Sequence, residues 1–231
     1  MKAIVLAAGR GERMRPLTDH MPKPLLVVRG RPLIEWHLEA LARAGVREVV
    51  VNTAWLEQRI VDALGDGSRF GLALAYSMEG RAYGGALETA GGIRTALPLL
   101  GLAPGEWFWS VSADVHAPGF AFDPPPDDAA LRARLWLVDN PPHHPDGDFG
   151  IGADGRATAG PPRFTWSGIG CFRREFVTEG MAGLAPGTPA KLRPYLDAEI
   201  AAGRLAAVHW RGAWTDVGTP ERLAALNAAD A

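Results

Sequence analysis

The chain has 231 residues, 47% of them hydrophobic and 22% charged, enough for one α/β domain with a substantial core. A formal net charge of −2 excludes a surface built for nucleic acid, and no apolar run is long enough to span a bilayer. Nothing at the N-terminus reads as a secretory leader, and a single cysteine, Cys171, excludes an internal disulfide, which together predict a cytoplasmic protein.

The first predicted element is a strand over 3–8, a continuous apolar run of the kind buried on both faces of a parallel sheet. It breaks at Gly9 and Gly11, which let the backbone turn tightly and offer N–H groups to an anion. Arg10, Arg13, Arg15 and Lys23 place positive charge around the same turn, so a phosphate-rich ligand is expected outside this strand's carboxyl end. A glycine turn alone is common. No Gly-Lys-Ser/Thr follows, which excludes a Walker loop, and Arg13 and Met14 stand where a dinucleotide fingerprint needs its third glycine.

Pro32 in a first turn and Gly45 past the end predict a helix over 32–44, with Leu33, Ile34, His37, Leu38 and Leu41 on its inner face. A strand over 46–52 follows, then a helix over 54–64 with Leu56, Ile60 and Leu64 inward, a strand over 72–77, a helix over 89–97 and a strand over 107–112. This alternation predicts a Rossmann-like, mostly parallel sheet flanked by helices. The second half is less regular. Pro124, Pro125 and Pro126 make 118–128 a loop, 135–138 reads as a strand, and 164–172 as a strand able to pair with 149–151. A helix over 189–202, a hairpin of 205–210 with 213–217, and a terminal helix over 219–229 complete the expectation. With no repeat and no linker, 1–231 reads as a single domain, without room after Asp216 for an appended acyltransferase or oligomerisation domain.

Asp114 and Asp216 each follow an apolar strand. Singly, each also suits a turn or a helix cap; brought together beside a triphosphate, they would hold Mg²⁺. The run Glu88-Thr89-Ala90-Gly91-Gly92 opens a helix with small residues against which a flat base could lie, a plain capping turn being the alternative. Upstream, Glu79 is a candidate base reader: a carboxylate only accepts hydrogen bonds, which suits N3–H of uracil or thymine and N1–H of guanine but not N3 of cytosine. The stretch 139–149 holds His143, His144 and three aspartates, but adjacent histidines on a turn make a poor tetrahedral site, and a solvated loop is expected. Cys171 lies in an apolar strand and reads as core, and no nucleophile–histidine set is evident. Asn52 closes the second strand, where a Rossmann dehydrogenase needs an acidic residue.

The full string from Gly9 through Gly11-Glu12-Arg13-Met14-Arg15-Pro16-Leu17-Thr18, closed by Pro22-Lys23-Pro24-Leu25, resembles the signature of the sugar-1-phosphate nucleotidyltransferases. Asn52-Thr53-Ala54-Trp55, the stretch 65–71 and the stretch 139–149 extend the resemblance over nearly the whole chain. They resemble most the family's short uridylyltransferase branch, which acts on N-acetylmuramate 1-phosphate in cell-wall sugar recycling. The resemblance implies a nucleotide-diphospho-sugar transferase fold, UTP and a sugar-1-phosphate as partners, Mg²⁺ as cofactor, and a monomer or small homo-oligomer. It implies catalytic roles for Arg15, Lys23, Asp114 and Asp216, the two aspartates also holding the metal. Leu6, Ala8, Gly9, Gly11, Glu12, Arg13, Glu79, Gly91 and Ser112 would bind the nucleotide, and Asp148 and Gly168 the sugar phosphate. Ser112-Ala113 depart from the usual Asn-Gly before the first aspartate. Thymidylyl- and guanylyltransferases of glucose- or mannose-1-phosphate, a cytidylyltransferase of a phospho-alcohol, and a catalytically inactive nucleotide-sensing subunit stay open as alternatives.

Overall fold

The structure, a computed structural model, describes residues 1–125 and 127–228; Pro126 of the predicted loop and Ala229 of the predicted terminal helix lie outside the described residues. The axis is β1 (Lys2–Leu6), whose apolar run is buried on both faces. After the glycine loop, a short antiparallel ribbon, β2 (Val27–Val28) with β3 (Arg31–Pro32), leads into α1 (Leu33–Arg43). Then come β4 (Glu48–Thr53), α2 (Glu57–Leu64), β5 (Ala73–Met78), a short α3 (Glu79–Tyr83), α4 (Glu88–Leu100) and β6 (Trp107–Ser112).

β4 lies parallel to β1 on one side and β6 on the other, so that Leu6 registers with Asn52 across one gap and Ser112 across the other. β5 extends the sheet outside β4. The chain thus winds first one way from β1 and then returns to its opposite flank. That reversal opens a crevice beyond the carboxyl ends of β1 and β6, the usual place for a ligand in such sheets. Period-2 alternation divides the core. Ala3, Val5, Val49 and Val51 face Ile34, Leu38 and Leu41 of α1, whereas Ile4 and Val50 face Ile93, Leu97 and Leu100 of α4.

α2 starts at Glu57, three residues later than predicted, because Trp55 turns out to the glycine loop and Leu56 takes a left-handed φ of 48°. Leu56 therefore leaves the inner stripe, while Ile60 and Leu64 stay buried. α6 (Arg193–Ala201) also starts later than predicted: the preceding segment runs along α4, with Ala190 O accepting from Ala90 N and Gly91 N.

In the second half come β7 (Val115–His116), β8 (Ala133–Val138), β9 (Phe149–Ile151), β10 (Ala157–Thr158), β11 (Arg163–Arg173) and α5 (Arg174–Thr178). After α6 follow β12 (Leu205–His209), β13 (Thr215–Asp216) and α7 (Pro220–Ala228). β11 runs antiparallel to β6 and β8, and its start pairs with β9 as expected. The predicted hairpin of 205–210 with 213–217 is not formed. β12 is instead parallel to β8, where Leu205, Ala206 and Ala207 are all buried, and β13 pairs antiparallel with β7. A strand buried on both faces needs sheet neighbours that a two-stranded hairpin lacks. Among the described residues, no helix is long and apolar enough to cross a membrane.

Candidate active site

The glycine loop is rigid for identifiable reasons. Gly11 adopts φ 68°, and a Cβ there would lie 3.0 Å from Thr18 Cγ2 and 3.3 Å from Lys23 Cβ, so only glycine is accommodated without strain. Gly11 O accepts from Thr18 Oγ1 at 2.7 Å and from Met14 N at 2.9 Å. Met14 is wholly buried against Leu33 and Val217. The Arg10 guanidinium stacks 3.5 Å from the centroid of Trp55, and both side chains donate to Thr18 O. Arg10 therefore braces the loop.

Leu6, Ala8, Gly9, Gly11, Glu12, Arg13, Lys23, Ser112 and Asp114 all line one cleft of about 640 Å³. Arg15 does not line the cleft: it follows the lining residue Met14 in the chain and is exposed, its Nε donating to Asp19 Oδ1 at 2.7 Å. That pairing holds the Asp19 carboxyl below its ordinary pKa, chiefly through the hydrogen bond from Arg15.

Lys23 is buried, and its Nζ donates to Asp114 Oδ2 at 2.6 Å. Asp114 sits in the turn between β6 and β7. The β7–β13 ribbon pairs Asp216 with Val115, and Val217 N donates to Asp114 O at 2.8 Å, so the backbones of two aspartates distant in sequence are neighbours, Asp114 in the cleft lining and Asp216 outside it. Arg222 Nη1 lies 2.6 Å from both Asp216 oxygens, and His143 Nε2 is 3.1 Å from Oδ1. Gly218 leaves room for the guanidinium, since a Cβ there would be 2.4 Å from Arg222 Nη2. Among the described residues, no group of three or more His, Cys, Asp or Glu forms a closed metal cage. Two partly exposed carboxylates with oxygen donors only fit Mg²⁺, which takes one or two carboxylates and completes its shell with phosphate and water.

On the base side the structure corrects two expectations. Glu79 is 0% exposed and does not face the cleft: Oε1 accepts from Asn52 Nδ2 at 2.7 Å and Oε2 from Leu87 N at 2.8 Å. Burial raises its carboxyl pKa, and those two hydrogen bonds oppose the rise. Gly91 is also buried, because a Cβ there would lie 2.3 Å from Thr188 O; it allows α4 to pack on the segment before α6. The residues of this run that reach the cleft are Ala86, Glu88 and Thr89, and Glu88 holds a left-handed φ of 59°. Asn52 reaches the cleft too, its Oδ1 accepting from Ala7 N at 2.8 Å. An amide closing an otherwise apolar strand was the signal for it.

Gly168 and Asp148 stand outside the cleft lining. Gly168, at φ 79° in a β11 bulge, lets that strand pass the end of β6, where a Cβ would meet Ser112 Cβ at 2.9 Å. Asp148 accepts from Trp166 N at 2.8 Å and lies 3.2 Å from His144 Nε2. The histidine turn is therefore more than a solvated loop: it is tied to β11 through His144 and Asp148, and to Asp216 through His143. Burial pushes the Cys171 thiol up to about 12, as befits a core residue.

The nucleotidyl transferase family model matches residues 2–151. The chain is similar to the N-acetylmuramate alpha-1-phosphate uridylyltransferase of Neisseria meningitidis serogroup B, with 48% identity over 231 residues, 96% of this chain and 95% of the relative. It is 33% identical over 237 residues to the protein of the same name from Caulobacter vibrioides, covering 98% of this chain and 95% of that one. In fold it is similar to a Bacillus anthracis chain provisionally described as a glucose-1-phosphate thymidylyltransferase, in complex with a sucrose. The TM-score is 0.78 at 20% identity, covering 99% of this chain and 94% of the other. The glycine loop, the crevice it borders and these likenesses agree: the chain belongs to the nucleotidyl transferase family.

Proposed function

We propose that the protein transfers UMP from UTP to N-acetylmuramate α-1-phosphate, releasing pyrophosphate, as a step of cell-wall sugar recycling. The observation that carries this reading is the Lys23–Asp114 pair in the cleft bordered by the glycine loop; the β7–β13 ribbon, which joins the backbones of Asp216 and Val115, supports a part for Asp216. One buried cation, two carboxylates and a loop of backbone N–H groups suit phosphoryl chemistry and leave no side chain placed as a covalent nucleophile. The likeness to the two uridylyltransferases supports the base and the sugar.

The attacking group is a phosphate oxygen of the sugar-1-phosphate, largely ionised at neutral pH, so it needs no general base. It adds to the α-phosphorus as the bond to the β-phosphate oxygen breaks. Gly9 and Gly11 cradle the departing pyrophosphate, with Arg13 adding positive charge from the cleft wall. Arg15, swinging from Asp19, reaches the same oxygens from outside the lining. Lys23, a compact charge on a flexible stem, bridges the two reacting phosphates. Asp114 and Asp216 would hold Mg²⁺, which when bound polarises the α-phosphate.

The test is pyrophosphate release from purified protein, Mg²⁺, UTP and N-acetylmuramate 1-phosphate, with dTTP, CTP, GTP and glucose-1-phosphate as replacements. Release with UTP and the muramate sugar, and weak release with every other pair, is the expected result. Preferred release with another pair would overturn the substrate assignment and keep the chemistry.

A further inference from the structure

Glu79 is the most completely buried carboxylate near the cleft, and the mechanism above does not use it. Its surroundings are unusually constrained. One oxygen takes the Asn52 amide at 2.7 Å, the other the Leu87 backbone N–H at 2.8 Å. Asn52 in turn takes the Ala7 N–H on its Oδ1 at 2.8 Å. The chain of three hydrogen bonds runs from the end of β1, across the end of β4, to the start of α4. Both of its ends adjoin residues that line the cleft: Ala7 and Ala8 after β1, Glu88 and Thr89 at the start of α4.

Gly92 shows that the fold is shaped around this chain. A Cβ on Gly92 would stand 2.6 Å from Asn52 Nδ2 and 2.9 Å from Glu79 Oε1, so the second glycine of the Gly91-Gly92 pair admits the Asn52–Glu79 bond beneath α4. Gly80 is fitted as closely, since its Cβ would lie 2.4 Å from Ala54 O. Leu87 N would otherwise be a buried donor just before Glu88, which holds its left-handed backbone in the cleft wall. The carboxylate is thus the acceptor that fixes where α4 begins.

We infer that Glu79 is a positioning residue that sets the spacing of the nucleotide pocket through Asn52 and Leu87, holding the β1 and α4 walls at the separation a nucleobase requires. The inference rests on the nucleotidyltransferase reading of the cleft. Polarity makes it testable: Asn52 donates and Glu79 only accepts. Glu79→Gln turns an amide donor toward Asn52 or Leu87, and Asn52→Asp sets two carboxylates face to face. The double variant N52D/E79Q reverses the direction of the central bond and restores all three.

The experiment measures UTP affinity by calorimetry without sugar, alongside KM for UTP, KM for the sugar phosphate, kcat and Tm. Each single variant is expected to weaken UTP binding about tenfold, with kcat and the sugar KM within about threefold of wild type. The double variant is expected to recover to within about threefold. A purely structural role would lower Tm and leave UTP affinity within about twofold, which would overturn the inference, as would a double variant binding no better than the singles. Should a single variant not fold, the double decides alone: near wild-type UTP affinity supports the network, and weak binding sinks it. Absence of turnover in the wild type, with UTP binding intact, would count against the proposed reaction and leave the binding comparison readable.

Discussion

Lys23 joins burial with charge. A buried ammonium needs a partner, and Asp114 supplies it at 2.6 Å. In the proposed reaction that partner role would pass to phosphate oxygens, so that the charge would count most when the transition state forms. Lys23→Met is expected to lower kcat by about 10²- to 10³-fold, with a far smaller change in KM for UTP and an unchanged circular dichroism spectrum. Steady-state kinetics would check it, and a variant retaining a tenth of wild-type kcat would be incompatible with a bridging role. At this scale the sequence was informative about residue type and less so about direction. Glycines and cations after a buried strand announce an anion site, because few other structures need them together. Glu79 and Gly91 are equally suggestive as residue types, yet one meets Asn52 and the other packs on Thr188. Which face of α3 or α4 meets the cleft is decided by packing, and adjacent residues on a helix point far apart.

Elements are tied to the site by bonds outside the cleft. His37, an inner-face residue of α1 as its spacing predicted, places Nε2 2.7 Å from Val115 O and so fastens α1 to the β7–β13 ribbon. Because a carbonyl only accepts, Nε2 carries the proton. Burial drives the His37 pKa down to about 4 from 6.5, opposed by the bond to Val115. The unfolded chain therefore takes up a proton first as pH falls. The contribution of this group is complete above the unfolded value and lost as pH falls from about 6.5 to about 4, by about 3 kcal/mol in all. Urea midpoints near pH 7 and near pH 4.5 should show a clearly smaller acid loss in His37→Gln than in wild type. Equal losses in both would place the acid sensitivity elsewhere. Strands and helices were legible because periods of 2 and 3.6 are local properties. The partners of β12 and β13 were not, since the strands they join, β8 and β7, lie far upstream and are brought near only by the intervening fold.

For the molecule as a whole, protein contacts fix where Asp114 and Asp216 stand. The β7–β13 ladder, the Val217–Asp114 hydrogen bond, and the cations Lys23 and Arg222 hold them in place. Chelation should accordingly abolish pyrophosphate release while moving Tm by no more than about 4 °C, because less than about 1 kcal/mol of folding energy depends on the ion. Calorimetric scans with EDTA and with Mg²⁺ would show it, and a collapse of the transition on chelation would make the site structural instead. The parallel block of β5, β4, β1 and β6 lies within the first half of the chain, and the antiparallel addition completes the crevice from the other side. The ribbon that pairs Asp216 with Val115 has one more consequence, in time. On the ribosome, the glycine loop and its flanking strands emerge early, whereas the second carboxylate arrives only with β13, together with the Val217 on which Met14 of the loop packs. The packing beneath the glycine loop and the proposed role of Asp216 are therefore completed in the same late event, when β13 pairs with β7.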